Sequence, residues 1–452
     1  METKRFRGLP EAMRVAERRR QCKRCAGTAM GVLLLALWAV ARTAPGAGAD
    51  PLGGAVTFLG VWGGSELESF RAMVRPFEER ARVRVQFEGT RDIGAVLTTR
   101  ARGGNPPDLA ALPTPGQIPG FAREGKLTAL DSLLDVPALR AQYGDSWINF
   151  AIAGRKLYGI FPKAALKGLV WYNPAALRAL PASFPATWDA LVTLTDRLAA
   201  AGRTPWCIGL ESGAASGWPA TDWIEILLLR SAGPDVYDRW VQHQIPWTHP
   251  AVRRAWSLFG RVAAIPQNVR GGVQGELAIN FADSPFPLFA SPPGCYFHLQ
   301  GSFIQDLIHS QYPGLRPGVD LSFTPLPVLD RSVPETVEVA ADVVVMFRET
   351  EQSRALIRYL TTAEAQAIWV KRGGALSANR RVSLSAYPDP LSRKAAAILT
   401  AASAARFDAS DLMPPPVGSS FLTATLDYLQ HPDRLDQILR EMERVAAETE
   451  RR

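Results

Sequence analysis

The apolar run Ala55-Val-Thr-Phe-Leu-Gly-Val-Trp62 stops at Gly63-Gly64 and gives way to Phe70, Met73, Val74 and Phe77 at helical spacing. An apolar strand that hands over to a helix is half of a βαβ unit, and such units require parallel neighbouring strands covered by helices. The same alternation continues. Arg82-Val-Arg-Val-Gln-Phe87 alternates as a strand does, Ile93 to Arg102 has helical period, and Asn105-Pro-Pro precedes the strand Asp108-Leu-Ala-Ala-Leu112. Ser65 with Glu68 predicts a capped start for the first helix. A mostly parallel α/β sheet follows, whose ligands gather in the crevice at the carboxyl ends of its strands.

From Gly168-Leu-Val-Trp-Tyr-Asn173 to about residue 333 the alternation begins again, with Trp206-Cys-Ile-Gly-Leu210 as a further strand, so a second α/β lobe is expected. A third strand system, Thr336 to Phe347, precedes one long helix from Thr350 to Lys371 that Gly373 and Gly374 end, and the tail from Leu391 is helical with a break at Met413-Pro-Pro-Pro416. A chain of 452 residues is long enough for two lobes with separate cores.

The formal charge of +8 lies almost wholly in residues 1–49, where ten Lys and Arg face three acids. The rest is close to neutral, which argues against a nucleic-acid partner. That basic stretch leads into the apolar run Ala26 to Ala41 and then Ala47-Gly-Ala49, the order of an export signal cleaved before Asp50. The alternative is a retained anchor, for which the run is short against the roughly 20 residues of a membrane span. Cys22 and Cys25 precede the apolar run, so neither is placed as a lipoprotein cysteine. An exported chain keeps Cys207 and Cys295, which read as one disulfide, with two separate buried thiols as the alternative.

Enzyme constellations are missing from the sequence. The five histidines show no metal-ligand spacing, no phosphate-cradling glycine loop occurs, and Gly213-Ala-Ala-Ser-Gly217 places serine wrongly for a hydrolase elbow. No cofactor and no metal are expected, and we read the chain as a non-enzyme. What stands out instead is aromatic rings beside polar, loop-forming residues: Trp62 with Glu66, Tyr158 with Lys163, Trp171 with Tyr172, Trp218 with Asp222 and Trp223, and Gln300 with Phe303. Sugar rings pack their C–H faces on flat aromatics, while their hydroxyls need carboxylate, Lys, Arg and amide partners. Strand alternation puts Trp171 and Tyr172 on opposite faces, so one of them can face the crevice. Trp218 and Trp223 share a Pro- and Gly-containing loop with Asp222, and Arg91 and Asp92 follow a predicted strand as crevice residues do.

The order Trp62-Gly-Gly-Ser-Glu66, Gly104-Asn-Pro-Pro-Asp-Leu-Ala110, Lys156-Leu-Tyr-Gly-Ile160, Gly168-Leu-Val-Trp-Tyr-Asn-Pro174 and Pro185-Ala-Thr-Trp-Asp-Ala-Leu191 resembles the sugar-binding extracellular proteins of ABC importers. Thr204 to Glu225, Pro292 to Phe303, Trp369 to Gly374 and Asp408 to Pro414 look like the α-glucoside-binding subgroup. The resemblance implies a two-lobed periplasmic-binding fold of type II, monomeric, closing on ligand by a hinge. Its parts would be an N-terminal lobe at 50–163 and 335–385 and a C-terminal lobe at 164–334 and 386–452. It implies Tyr172 and Phe303 as aromatic faces of one lobe opposed by Trp62, Glu66 and the Thr114/Gln117 loop of the other. Lys163, Glu211, Gln300 and Gly374 join the candidate set, and the bridge Cys207–Cys295 is supported. The implied partners are a carbohydrate and inner-membrane permease subunits. One departure is Leu299, where the subgroup usually carries arginine. A polyamine or metal binder of the same fold and a secreted glycoside hydrolase are the competing readings.

Overall fold

The computed structural model describes residues 51–90, 92–180, 183–402 and 404–451; the export signal expected over residues 1–49 and the candidate Arg91 lie outside them. In chain order the elements used below are β1 (Ala55–Gly60), α1 (Gly64–Ala81), β2 (Arg84–Gly89), α2 (Ile93–Arg102), β3 (Leu109–Leu112), β4 (Gly159–Ile160), β5 (Ala165–Leu166) and β6 (Leu169–Tyr172). They continue with α3 (Trp218–Ala232), β7 (His298–Gln300), α4 (Ile304–Gln311), β8 (Ser322–Pro325), β9 (Val337–Ala340) and β10 (Val343–Met346). Last come α5 (Ala363–Arg372), α6 (Pro390–Ala401), β11 (Ala405–Phe407) and α7 (Ala409–Leu412).

The first lobe is built on the sheet β2-β1-β3-β10-β4. Its first three strands are parallel, and β10 returns antiparallel beside β3. Every residue of β3 and β10 is buried, because helices cover both faces of these central strands. The second lobe's sheet, β8-β6-β7, is antiparallel in both pairings, unlike the mostly parallel sheet expected from the strand-helix alternation. Trp206–Leu210 does not join it as a full strand. Trp206 forms only isolated parallel bridges to Phe297 and Val269, and long helices supply most of this lobe's core.

Alternation along β6 divides the two cores. Leu169 and Trp171 face the first, while Val170 faces the second with Leu299 opposite it on β7. Leu299 is therefore a core residue, and an arginine would not be accommodated among those helices without a partner. Three short strands, β11-β9-β5, form a third sheet. Helix α6 lies against β8 of the second lobe, where Lys394 Nζ donates to Phe323 O at 2.6 Å and stands over its ring.

Several local expectations change. The first helix starts at Gly64 with extended Gly63 as N-cap, and Ser65 makes no capping bond because its hydroxyl is used by Asp306 instead. The single helix expected over Thr350 to Lys371 is two, broken at Thr361-Thr362. Thr350 and Thr362 each cap the helix that follows by accepting a backbone N–H. Cys207 and Cys295 form a disulfide with Cα atoms 5.6 Å apart. No helix among the described residues is long and apolar enough to cross a membrane.

Candidate functional site

One extended segment supplies both halves of the site. Phe161-Pro-Lys163-Ala-Ala-Leu-Lys167 runs through β5, and each of its lysines anchors one cluster of chemistry-bearing side chains.

Around Lys163, Nζ donates to Glu66 Oε1 at 2.7 Å and lies 2.8 Å from Asp342 Oδ2. Trp62 Nε1 donates to the same Asp342 oxygen at 2.8 Å, and the ammonium sits over the rings of Trp62 and Trp369 at 5.8 and 5.5 Å. Burial alone would push this ammonium down, but the carboxylates of Asp342 and Glu66 more than offset it and hold Lys163 charged. Trp62 is nearly inaccessible and its edge meets Trp369, so it supports this corner from beneath. Glu66 keeps two-fifths of its side chain exposed and is the part a ligand can reach.

The second cluster forms because Trp218 and Asp222 stand one helical turn apart on α3 and so project from one face. Lys167 Nζ donates to both oxygens of Asp222 at 2.7 and 2.6 Å, pairs with Asp408 at 2.9 Å, and lies 4.8 Å from the centre of the Trp218 ring. Trp218 is only partly buried. Its ring meets Phe281 edge-on at 5.1 Å and Phe303 at 6.0 Å, making a three-ring aromatic wall held against the buried ammonium. Glu211 braces the Phe281 loop, accepting from Asn280 Nδ2 at 2.6 Å and from Gly213 N at 2.7 Å, which draws its pKa down.

Asp306, in the first turn of α4, ties that helix to α1. Ser65 Oγ, at the start of α1, donates to its Oδ2 at 2.8 Å. Gly374 lies so close that a Cβ there would stand 3.2 Å from the Asp306 carboxyl, at a positive φ of 72° that also favours glycine. On another side, the turn Pro115–Gln117 packs on α7, and a Cβ on Gly116 would lie 2.3 Å from the carbonyl oxygen of Met413. Gln117 and Thr114 in that turn are half-buried and hydrogen-bonded to each other.

The remaining candidates are placed apart. Trp223, one residue beyond Asp222 on the same helix, turns into the second core between Trp206 and Phe259. Tyr172 stacks obliquely on Phe184 at 5.3 Å at the second core's edge. Gln300 is buried on β7 with Oε1 accepting from Gly301 N. Asp92 is exposed at the start of α2, and Arg91 lies outside the described residues. Four members of the clusters escape the sequence reading: Lys167, Phe281, Asp342 and Asp408. Asp342 carries the clearest signal, a single acid inside the apolar run Val339 to Met346. A groove of about 850 Å³ beside the C-terminal helices, lined by Thr423, Gln437, Glu441 and Arg444 among others, contains no aromatic ring and lacks this chemistry.

An aromatic wall of Trp218, Phe281 and Phe303, set beside the lysine-bearing segment 161–167, is the site of a two-lobed solute-binding protein. The chain belongs to the bacterial extracellular solute-binding protein family, whose family model matches residues 63–289. The osmoprotective compounds-binding protein GgtB of Synechocystis sp. is 37% identical over 401 residues, covering 88% of this chain and 94% of that protein. The alpha-glucosides-binding periplasmic protein AglE of Rhizobium meliloti is 35% identical over 395 residues, covering 84% of this chain and 85% of its own. Among solved structures, the bacterial solute receptor AcbH superposes with a TM-score of 0.75 at 18% identity, over 88% of this chain and 99% of the receptor. Maltose-bound MalE3 of T. maritima gives 0.67 at 15%, over 87% and 99%. These two show the same two-lobed fold.

Proposed function

We propose that this chain receives an α-glucoside, or a related small glucose-containing solute, between its lobes. The chain is the solute-binding component of an ABC-type sugar importer, and the observation that carries the ligand reading is the wall of Trp218, Phe281 and Phe303 beside Glu66. A pyranose packs its apolar face on such rings and gives its hydroxyls to carboxylate and amide acceptors. The name of AglE, an alpha-glucosides-binding protein, supports this solute class. A polycation fits less well, because Glu66 and Asp342 already share the ammonium of Lys163. We read the chain as a monomer without catalytic activity, exported by a signal cleaved before Asp50. Its lobe boundaries lie near residues 164, 335 and 385. Tyr172, Gln300, Thr114 and Gln117 remain proposed contacts of the closed, ligand-bound form.

The test is a thermal-shift and calorimetric screen of residues 50–452 against maltose, trehalose, sucrose, glucosylglycerol, spermidine and zinc. A solute that binds only the folded chain raises its melting temperature by mass action. A rise with one of the glucosides, without turnover of a chromogenic glucoside, is the expected result. A rise with spermidine or zinc alone overturns the sugar reading.

A further inference from the structure

Beneath the aromatic wall lies a group of carboxyls that sugar binding does not use. Asp222 and Glu225 project from α3, Glu338 from β9, and Asp408 stands between β11 and α7, all four at most 3% exposed. The one buried ammonium among them is Lys167. Other charged groups facing the cluster are balanced or peripheral. Arg406 pairs with Asp238, Arg230 and Glu335 lie toward the outer side of Glu338, and half-buried Asp411 on α7 adds another acid. From the helix Pro234–Val241 of the second lobe, the hydroxyl of Tyr237 donates to Phe407 O at 3.0 Å and approaches Glu338 Oε1 at 3.4 Å. The lobe-one turn Pro115–Gln117 that covers α7 brings no ionisable group.

Geometry demands protons here. Asp222 and Asp408 share the Lys167 ammonium at 2.6 and 2.9 Å, and no cation is paired with Glu225 or Glu338 among the described residues. A buried carboxyl without a cation is costly as an anion and is relieved by taking up a proton. Glu338 Oε2 is fully buried and has no partner among the described residues, a state tolerable for a neutral acid and costly for an anion. Burial, with the neighbouring acids, raises Glu225 and Glu338 well above the carboxylate range.

The cluster is also the meeting point of moving parts. It joins Lys167, Glu338 and Asp408, on or next to the three strands of the third sheet, to α3 of the second lobe. Glu225 is held by the backbone N–H groups of Ala409 and Ser410 at 2.7 and 3.2 Å, on the same short helix that the lobe-one turn covers. We propose that this hinge cluster holds at least two protons at neutral pH and that their loss as pH rises drives the lobes apart. Ionisation places like charges in a dry volume, and water reaches them only when Pro115–Gln117 lifts from α7. Protons thus favour closure, and a solute bound between the lobes is released more readily at alkaline pH.

The proposal rests on the two-lobed fold and not on the identity of the sugar, so its test uses the ligand-free chain of residues 50–452. Infrared spectra in D₂O read the carbonyl stretch of protonated carboxyls, and small-angle scattering reads the radius of gyration from neutral to about pH 10. The expected result is a protonated-carboxyl band that Glu225→Gln and Glu338→Gln each diminish. The radius of the unaltered chain should grow as pH rises, and that of the variants should stay constant. A band unchanged in both variants shows that these acids hold no proton. A radius that is flat in the unaltered chain, or grows equally in the variants, shows that their ionisation does not move the lobes. Either result overturns the proposal, whatever the sugar screen returns.

Discussion

Trp218 is held on one side by the Lys167 ammonium and on another by Phe281 and Phe303, so its ring is presented at a fixed angle. Trp218→Ala should weaken binding of whichever glucoside the screen identifies by tenfold or more, of the order of 1.4 kcal/mol. The melting temperature without ligand should fall much less than after a core truncation such as Trp223→Ala, because Trp223 is fully buried. Calorimetric titration and melting of both variants check this. His298 behaves differently. Its Nδ1 is bonded to the carbonyl of Cys207, its Nε2 is buried without a partner among the described residues, and burial lowers its pKa from 6.5 to about 4. A group with a lowered folded pKa contributes stability that is present above its unfolded value and lost as pH falls through the folded one. Stability should therefore drop by about 3 kcal/mol between pH 6.5 and about 4. His298→Gln should flatten that acid limb in melting curves taken across the same range.

At the scale of elements, Thr350 closes a reciprocal capping box with Ser353 at the head of the helix Glu351–Leu360. Thr350→Ala should cost about 1 kcal/mol, visible as a shift in denaturant midpoint with unchanged slope. The sequence made some elements legible and hid others for physical reasons. The helix Ile93–Arg102 was readable to the residue because its apolar period starts and stops cleanly. The helix break at Thr361-Thr362 was not, since the apolar period runs through it. The stretch around Trp218 read as a loop because of Gly217 and Pro219, yet proline in the first turn is compatible with a helix. That single difference sorts the site. Four residues of helix bring Asp222 under Trp218, and one more turns Trp223 into the core. Lys163, Glu66, Trp218, Asp222 and Phe303 were visible as polar and aromatic residues set side by side along the sequence. Lys167 and Asp408 were not, because their pairing depends on segments more than 200 residues apart in sequence.

For the whole molecule, the bridge Cys207–Cys295 closes a loop of 88 residues inside the second lobe. The chain-entropy argument gives it about 4 kcal/mol of stabilisation. Reduction should lower the melting temperature of the exported chain by several degrees while leaving a folded protein, because both lobes keep extensive apolar cores. Differential scanning calorimetry with and without reductant checks it.

Neither core is made from a continuous stretch. The first lobe's sheet places β10 between β3 and β4, and the second core combines Val170 with residues as late as Ala446. A polypeptide emerging from the ribosome amino end first can complete neither lobe until the distant strand, and then the final helices, have been synthesised. Were the expected signal to thread the chain unfolded through a membrane pore, that delay would be useful. The threading order of the fold itself keeps the nascent chain loose until it has reached the far side.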